Sequence, residues 1–149
     1  AAAREAGVRV VHPRIGLVLG ERGGVLGRMV PVFKAFLGGS LGGGDQYMPW
    51  IHQRDLVRAL EFLIDREDLA GAFNATAPEP VTMRVFAATL GSTLGRPAAF
   101  RVPEVALRLA LGPGAEALLT GQRAVPRRLV DAGFAFVFPE LTSALADIV

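Results

Sequence analysis

The densest chemistry in the chain lies between Gly38 and Leu56, read as Gly-Gly-Ser-Leu-Gly-Gly-Gly-Asp-Gln-Tyr-Met-Pro-Trp-Ile-His-Gln-Arg-Asp-Leu. This stretch holds the only Trp, the only Tyr, one of the 2 His and five of the 18 Gly. An imidazole can donate, accept or carry a proton near neutrality. An indole or phenol offers a flat apolar face with one polar atom. Five Gly and Pro49 deny the stretch a helix, so its side chains belong on turns and a short strand at a surface. His52, entering a helix from this polar loop, reads either as a pocket-lining group or as a hydrogen-bonded structural residue. Asp55 falls in the first turn of that helix, where a carboxylate favours the positive end of the dipole, and a capping role is its simpler reading.

Composition excludes several other chemistries. There is no Cys, which removes disulfides, thiolate metal sites and a Cys nucleophile and fits a reducing compartment. The net charge is only +2, and the Arg residues are scattered from Arg4 to Arg128 with no basic run beyond Arg127-Arg128, so nucleic acid is not the expected partner. Apolar stretches are broken by Arg, Gly or Pro well short of the roughly 20 residues needed to span a bilayer. The sequence reads as soluble and cytoplasmic, with no membrane partner. No Gly-Lys-Ser or Gly-Lys-Thr marks a P-loop. Gly20, Gly23, Gly24 and Gly27 imitate a dinucleotide turn. Pro31 falls in the helix behind them, however, and no apolar strand ending in an acid follows, so a pocket-shaping loop is the better reading.

The elements that must position these residues are those of an α/β chain. At 149 residues with 51% hydrophobic content, one ordinary domain with a sizeable core is expected. Ala1–Ala6 read as the tail of a helix whose beginning lies upstream, ended by Gly7. An apolar, β-branched run from Val8 to Leu19 reads as a strand interrupted by Pro13. Leu26, Met29, Val30, Phe33 and Phe36 repeat at helical spacing as core. Gly42-Gly43-Gly44 reads as a turn joining Ser40-Leu41 to Gln46-Tyr47-Met48. An amphipathic helix follows from Asp55, with apolar residues at 56, 59, 60, 63 and 64, and then a strand around Phe73–Thr76. Thr82 starts a helix over 83–94, with Val85, Phe86, Leu90 and Leu94 in register, stopped by Gly95-Arg96-Pro97. Further on come a strand at Phe100–Val102, short helices over 104–111 and 115–119, and a helix to Ala132 led by Pro126. Gly133–Pro139 reads as a strand of alternating aromatics, and 141–149 as a last helix. Composition changes near Pro97, which suggests a subdivision there.

In order, Arg14-Ile15-Gly16-Leu17-Val18-Leu19-Gly20, Gly23-Gly24, Phe33-Lys34-Ala35-Phe36-Leu37-Gly38-Gly39, Leu41-Gly42, Gln46, Trp50-Ile51-His52, Asp55-Leu56, Phe73-Asn74-Ala75 and Ala77-Pro78 make a pattern. It resembles the C-terminal half of extended short-chain dehydrogenase/reductases of the epimerase family, the nucleotide-sugar epimerase-like proteins. Gly95-Arg96-Pro97, Val102-Pro103, Gly121-Gln122-Arg123, Pro126, Gly133-Phe134 and Pro139 are similar to that subfamily's small C-terminal domain of unknown function. The resemblance covers essentially the whole chain. It implies an α/β fold that is the C-terminal fragment of a Rossmann-type enzyme: residues 1–96 as the last part of the Rossmann sheet plus a substrate-binding segment, and 97–149 as a small α/β C-terminal domain.

The family uses NAD(P), bound on an N-terminal Rossmann half, and a Tyr-x-x-x-Lys pair. Here the only Tyr is Tyr47, followed four residues later by Ile51, and the only Lys is Lys34. The resemblance therefore places no catalytic residue in this chain and expects no tight NADP binding or turnover by the chain alone. It implies backbone contact with the nicotinamide at Gly16 and Leu17. It also implies a substrate pocket lined by Gly20, Gly23, Gly24, Met29, Gln46, Trp50 and His52. The expected partners are a small-molecule substrate and the N-terminal Rossmann half, with a homodimer as a further expectation. The alternative is a stand-alone module that binds a small ligand or another protein. No metal ligand set stands out.

Overall fold

The computed structural model describes residues 5–21, 23–105, 109 and 120–149. Within them the elements are β1 (Val11–Ile15), β2 (Leu17–Leu19), α1 (Gly24–Lys34), β3 (Gly39–Leu41), β4 (Tyr47–Met48), β5 (Trp50–His52) and α2 (Gln53–Asp65). These are followed by β6 (Gly71–Ala75), β7 (Val81–Thr82), α3 (Met83–Leu94), β8 (Phe100–Val102), α4 (Arg127–Asp131) and α5 (Leu141–Ile148). The helices expected over 115–119 and most of 104–111, and the start of the one at Ala1–Ala6, lie outside the described residues.

The run from Val8 to Leu19 forms two short strands that meet at Gly16 and exchange partners there. β1 lies parallel to β6, with Arg14 opposite Asn74 and Ile15 opposite Ala75. The Gly16 N–H still donates to the Ala75 carbonyl (3.1 Å), but the next N–H, that of Leu17, donates to the Pro49 carbonyl (2.6 Å). β2 then continues parallel to β5. A side chain at position 16 would overlap the Pro49 carbonyl and press on Thr76, so the change of partner requires glycine. Parallel pairing needs long crossovers: α1 lies in the connection from β2 to its partner β5, and α2 in the chain that leads on to β6, the partner of β1.

Two apolar clusters hold these pairs. The larger gathers Leu19 and Trp50 from the second pair with Leu26, Met29 and Phe33 of α1, Met83, Phe86 and Leu90 of α3, and Leu141, Ala144 and Leu145 of α5. The smaller packs Ala59 and Leu63 of α2 against Phe73, Leu129 and Phe134. Met29 and Phe33 thus enter the core as their spacing suggested, whereas Phe36 is 55% exposed. α1 ends at Lys34, and Phe36 takes φ 63 where the chain turns toward β3. Val85 also faces outward, because α3 buries Met83, Phe86, Ala87, Leu90 and Gly91 instead. On α2, Ile64 is exposed and the buried line is Asp55, Ala59 and Leu63.

Gly42-Gly43-Gly44 forms the turn between β3 and β4, and the two strands take other partners: β3 pairs in parallel with β8, and β4 antiparallel with β7. One further expectation is corrected. The alternating aromatics at 133–139 form no strand. Their alternation serves packing: Phe134 meets Phe136 edge-on at 4.8 Å and Phe62 at 5.5 Å, while Phe138 enters the larger cluster. The backbone N–H groups of Val137 and Phe138, freed from any ladder, both donate to the Asp55 carboxylate at 2.8 Å. Asp55 is 0% exposed, and Arg58 donates to the same carboxylate at 3.2 Å. Among the described residues no helix is long and apolar enough to cross a membrane.

Substituting Asp55→Asn turns one acceptor into a donor facing a backbone N–H and removes the charge beside Arg58. Urea unfolding is expected to show a loss of about 3 kcal/mol. A variant as stable as the parent would contradict the role given to this carboxylate.

Candidate functional site

Two of the clefts beside the β1–β2 line carry most of the polar side chains. The first lies at the partner exchange, with a volume near 310 Å³, and is lined among others by Arg14, Gly16, Asn74, Thr76, Gln122 and Arg123. Its far wall is the segment 121–126, which is held in place by side chains and by backbone contact. Gly121 sits against the backbone of Tyr47 so closely that any Cβ would overlap the Tyr47 carbonyl. The Asn74 amide donates to the Val125 carbonyl at 3.0 Å, and the Thr76 hydroxyl to the Ala124 carbonyl at 3.5 Å. The segment's inner face is thus satisfied by the end of β6, while the Gln122 and Arg123 side chains are exposed and border the cleft. The Arg123 guanidinium stands 5.7 Å from the Tyr47 ring centroid.

The second cleft, near 460 Å³, is bordered by Gly20, Glu21, His52, Arg54, Arg58 and Asp147 among others. His52 ends β5 and caps α2: its Nδ1 accepts from the Arg54 N–H at 3.1 Å. The cap is therefore His52, and Asp55, although in the first turn, spends its oxygens on Val137, Phe138 and Arg58. The imidazole is 4% exposed and stacks on Phe138 with centroids 3.9 Å apart. Burial pulls its pKa below the ordinary 6.5, against the opposing pull of Asp147 and Asp55. The neutral ring is the working form at pH 7. With Nδ1 accepting, its proton sits on Nε2. Nε2 lies 3.3 Å from Asp147 Oδ2 at an angle that makes no hydrogen bond. For a neutral ring this is a close polar contact rather than a salt bridge.

The structure distributes the residues singled out by sequence over several places. Gly16 and the half-buried Leu17 stand at the partner exchange, and Gly20 and His52 border the second cleft. Gly23 caps α1 and Gly24 opens it, both exposed. Gln46 bridges chain segments: its side-chain amide donates to the Leu41 carbonyl at 2.9 Å, and its backbone carbonyl accepts from Met83 N–H at 2.8 Å. Met29 and Trp50 are in the main core, and the indole N–H of Trp50 points to the Glu79 carbonyl at 3.3 Å. Sequence reading missed Arg14, Gln122, Arg123, Arg54 and Asp147 as cleft residues. For Gln122-Arg123 a signal existed: a glycine, two long polar side chains, then a proline that fixes the turn into α4. Nothing local marks Asp147, since its place depends on how α5 packs.

Residues 102–148 match the domain of unknown function DUF1731. Over 144 residues the chain is 46% identical to the epimerase family protein MT2273 of Mycobacterium tuberculosis, which covers 96% of this chain and 48% of that protein. It is 43% identical over 152 residues to the epimerase family protein SDR39U1 of Mus musculus, covering 100% of this chain and 52% of the relative. The crystal structure of human epimerase family protein SDR39U1 (isoform 2) with NADPH superposes with a TM-score of 0.91 at 39% identity, over 95% of this chain and 48% of that one. The chain matches the epimerase family. It spans about half the length of the relatives it matches. Its α/β fold, with parallel strand pairs flanked by helices, is that of part of a Rossmann-type epimerase of this family.

The state of His52 gives a pH signature. Because its folded pKa is depressed, the neutral ring stabilises the fold fully above the ordinary value of 6.5, and that contribution is lost as pH falls below it. Urea midpoints are expected to drop between pH 7.5 and 5.5. His52→Asn, which keeps a capping side chain without titrating in this range, should flatten that part of the slope. An unchanged slope in H52N would contradict the assignment.

Proposed function

We propose that this chain supplies the substrate-facing part of an NADPH-dependent oxidoreductase or epimerase. Residues 1–96 complete the Rossmann sheet and carry the substrate-binding segment, and residues 97–149 form a small C-terminal domain locked onto it. The observation that carries this reading is the close superposition on a family structure solved with NADPH. In the proposed arrangement the backbone at Gly16 and Leu17 meets the nicotinamide. Gly20, Gly23, Gly24, Gln46 and His52 border the substrate space, with Met29 and Trp50 bracing it from the core.

NADPH would supply hydride when bound. This chain's own groups orient and enclose: the partner exchange at Gly16 keeps the backbone bare of side chain, and the buried His52 ring holds the start of α2 beside the second cleft. The chain contains no Tyr-x-x-x-Lys pair, so proton transfer is assigned to groups outside it. β1 pairs with β6 and, among the described residues, with no other strand. Val8, Ile15 and Ile64 beside it are 57%, 50% and 68% exposed. That face is assigned to the dinucleotide-binding half of the whole protein.

By itself the chain is expected to bind NADPH no more tightly than the micromolar range by calorimetry and to show no turnover, for want of a pyrophosphate-binding turn. Reduced nicotinamide riboside, which carries no phosphate, should at millimolar concentration move the amide resonances of Gly16 and Leu17 and leave those of α3 in place. Unmoved Gly16 and Leu17 resonances would contradict the cofactor assignment.

A further inference from the structure

The first cleft carries unused positive charge. Most arginines around the two β1–β6 strands are tied down: Arg9 donates to the carbonyls of Leu63 and Ile64 (both 2.9 Å), and Arg128 to those of Ala72 and Ala70 (2.6 and 2.9 Å). Arg66 is held by Asp68, and Arg84 by Asp45. Arg14 of β1 and Arg123 of the segment 121–126 both line the first cleft, and among the described residues they donate no hydrogen bond and meet no carboxylate. Among the described residues the lining includes no Asp or Glu. The contact of Arg123 with the Tyr47 ring leaves its N–H groups unspent.

The backbone positions that carry these groups are fixed by pairing and packing. Arg14 is in register with Asn74, which is itself bonded to the Val125 carbonyl of the opposite wall. Gly121 seats that wall on the Tyr47 backbone immediately before Gln122 and Arg123. Two planar forks and an amide therefore flank one space whose floor is the bare backbone of Gly16. A guanidinium matches the paired oxygens of a phosphate or carboxylate, and two of them with no competing acid favour an oxyanion over a neutral ligand.

We infer that Arg14, Gln122 and Arg123 form an oxyanion-binding subsite, so that the small molecule met at Gly16 carries a phosphate or carboxylate group. This rests on the assignment of Gly16 to the cofactor side and adds the charge class of the substrate. The uncharged body of the substrate lies along the Gly16 floor, and its anionic end is held between the two guanidiniums.

The test is titration of the 149-residue chain with inorganic phosphate, inorganic pyrophosphate and malonate, following the Nε–Hε resonances of Arg14 and Arg123. Saturable binding that weakens with added salt is expected. Preference for the phosphates or for malonate then identifies the group that the subsite takes. In the double variant Arg14→Gln with Arg123→Gln, affinity should fall about tenfold or more, as for lost charge-assisted hydrogen bonds. Arg28→Gln with Arg101→Gln, which removes the same charge from exposed positions elsewhere, should leave it unchanged. All four side chains are exposed, so matching thermal melts are expected and serve as the folding control. Equal loss in both double variants, or no loss in the first, would overturn the subsite. Because reduced nicotinamide riboside is uncharged, its effect at Gly16 reads the cofactor assignment independently of either result.

Discussion

A single buried carboxylate ties the two ends of the fold together. Asp55 lies in the first turn of α2, close behind the strand that pairs with β2, yet its oxygens serve backbone N–H groups more than 80 residues away. A fully buried carboxylate costs several kcal/mol in desolvation unless every oxygen is met. Here two peptide N–H groups, Arg58 and the positive end of a helix meet it. The segment 133–139 in turn has no ladder to satisfy its backbone, and Asp55 supplies the acceptors it lacks. This exchange fixes Phe138 beneath His52, and α5 behind it brings Asp147 to the second cleft.

The partner exchange at Gly16 depends on the same arrangement from the other side. β5 is held parallel to β2 by three residues only, and His52, its last residue, is also the cap of α2. The strand end, the cap and the first-turn acid thus occupy four consecutive positions, His52 to Asp55. Gly16 lines the cleft bordered by Arg14 and Arg123, and His52 and Asp147 border the other.

Local chemistry was legible in the sequence wherever neighbours along the chain decide it. Thr82 caps α3 as its type suggested, with its hydroxyl accepting from Val85 N–H. The β-branched runs at Val8–Leu19 and around Phe73 do pair in parallel. What escaped depended on distant partners. The glycines at 42–44 make a turn, but the strands they separate pair with β7 and β8, which no local pattern announces. Phe134, Phe136 and Phe138 alternate as a strand would, and only the position of Asp55 shows why they form none. Trp50 drew attention as a rare residue in a polar loop, whereas its neighbours place it in the core. Nothing local distinguishes the arginines at 14 and 123 from thirteen others, and only the fold puts both on one cleft.

The dependence on Asp55 can be read residue by residue through native-state hydrogen exchange. If this carboxylate clips the C-terminal segment to α2, the amides of Val137 and Phe138 should exchange only through the opening that exposes core amides such as that of Leu19. Their opening free energies should then agree within about 1 kcal/mol. Exchange at 137 and 138 several orders of magnitude faster than at Leu19, with the rest of the protein intact, would contradict the account.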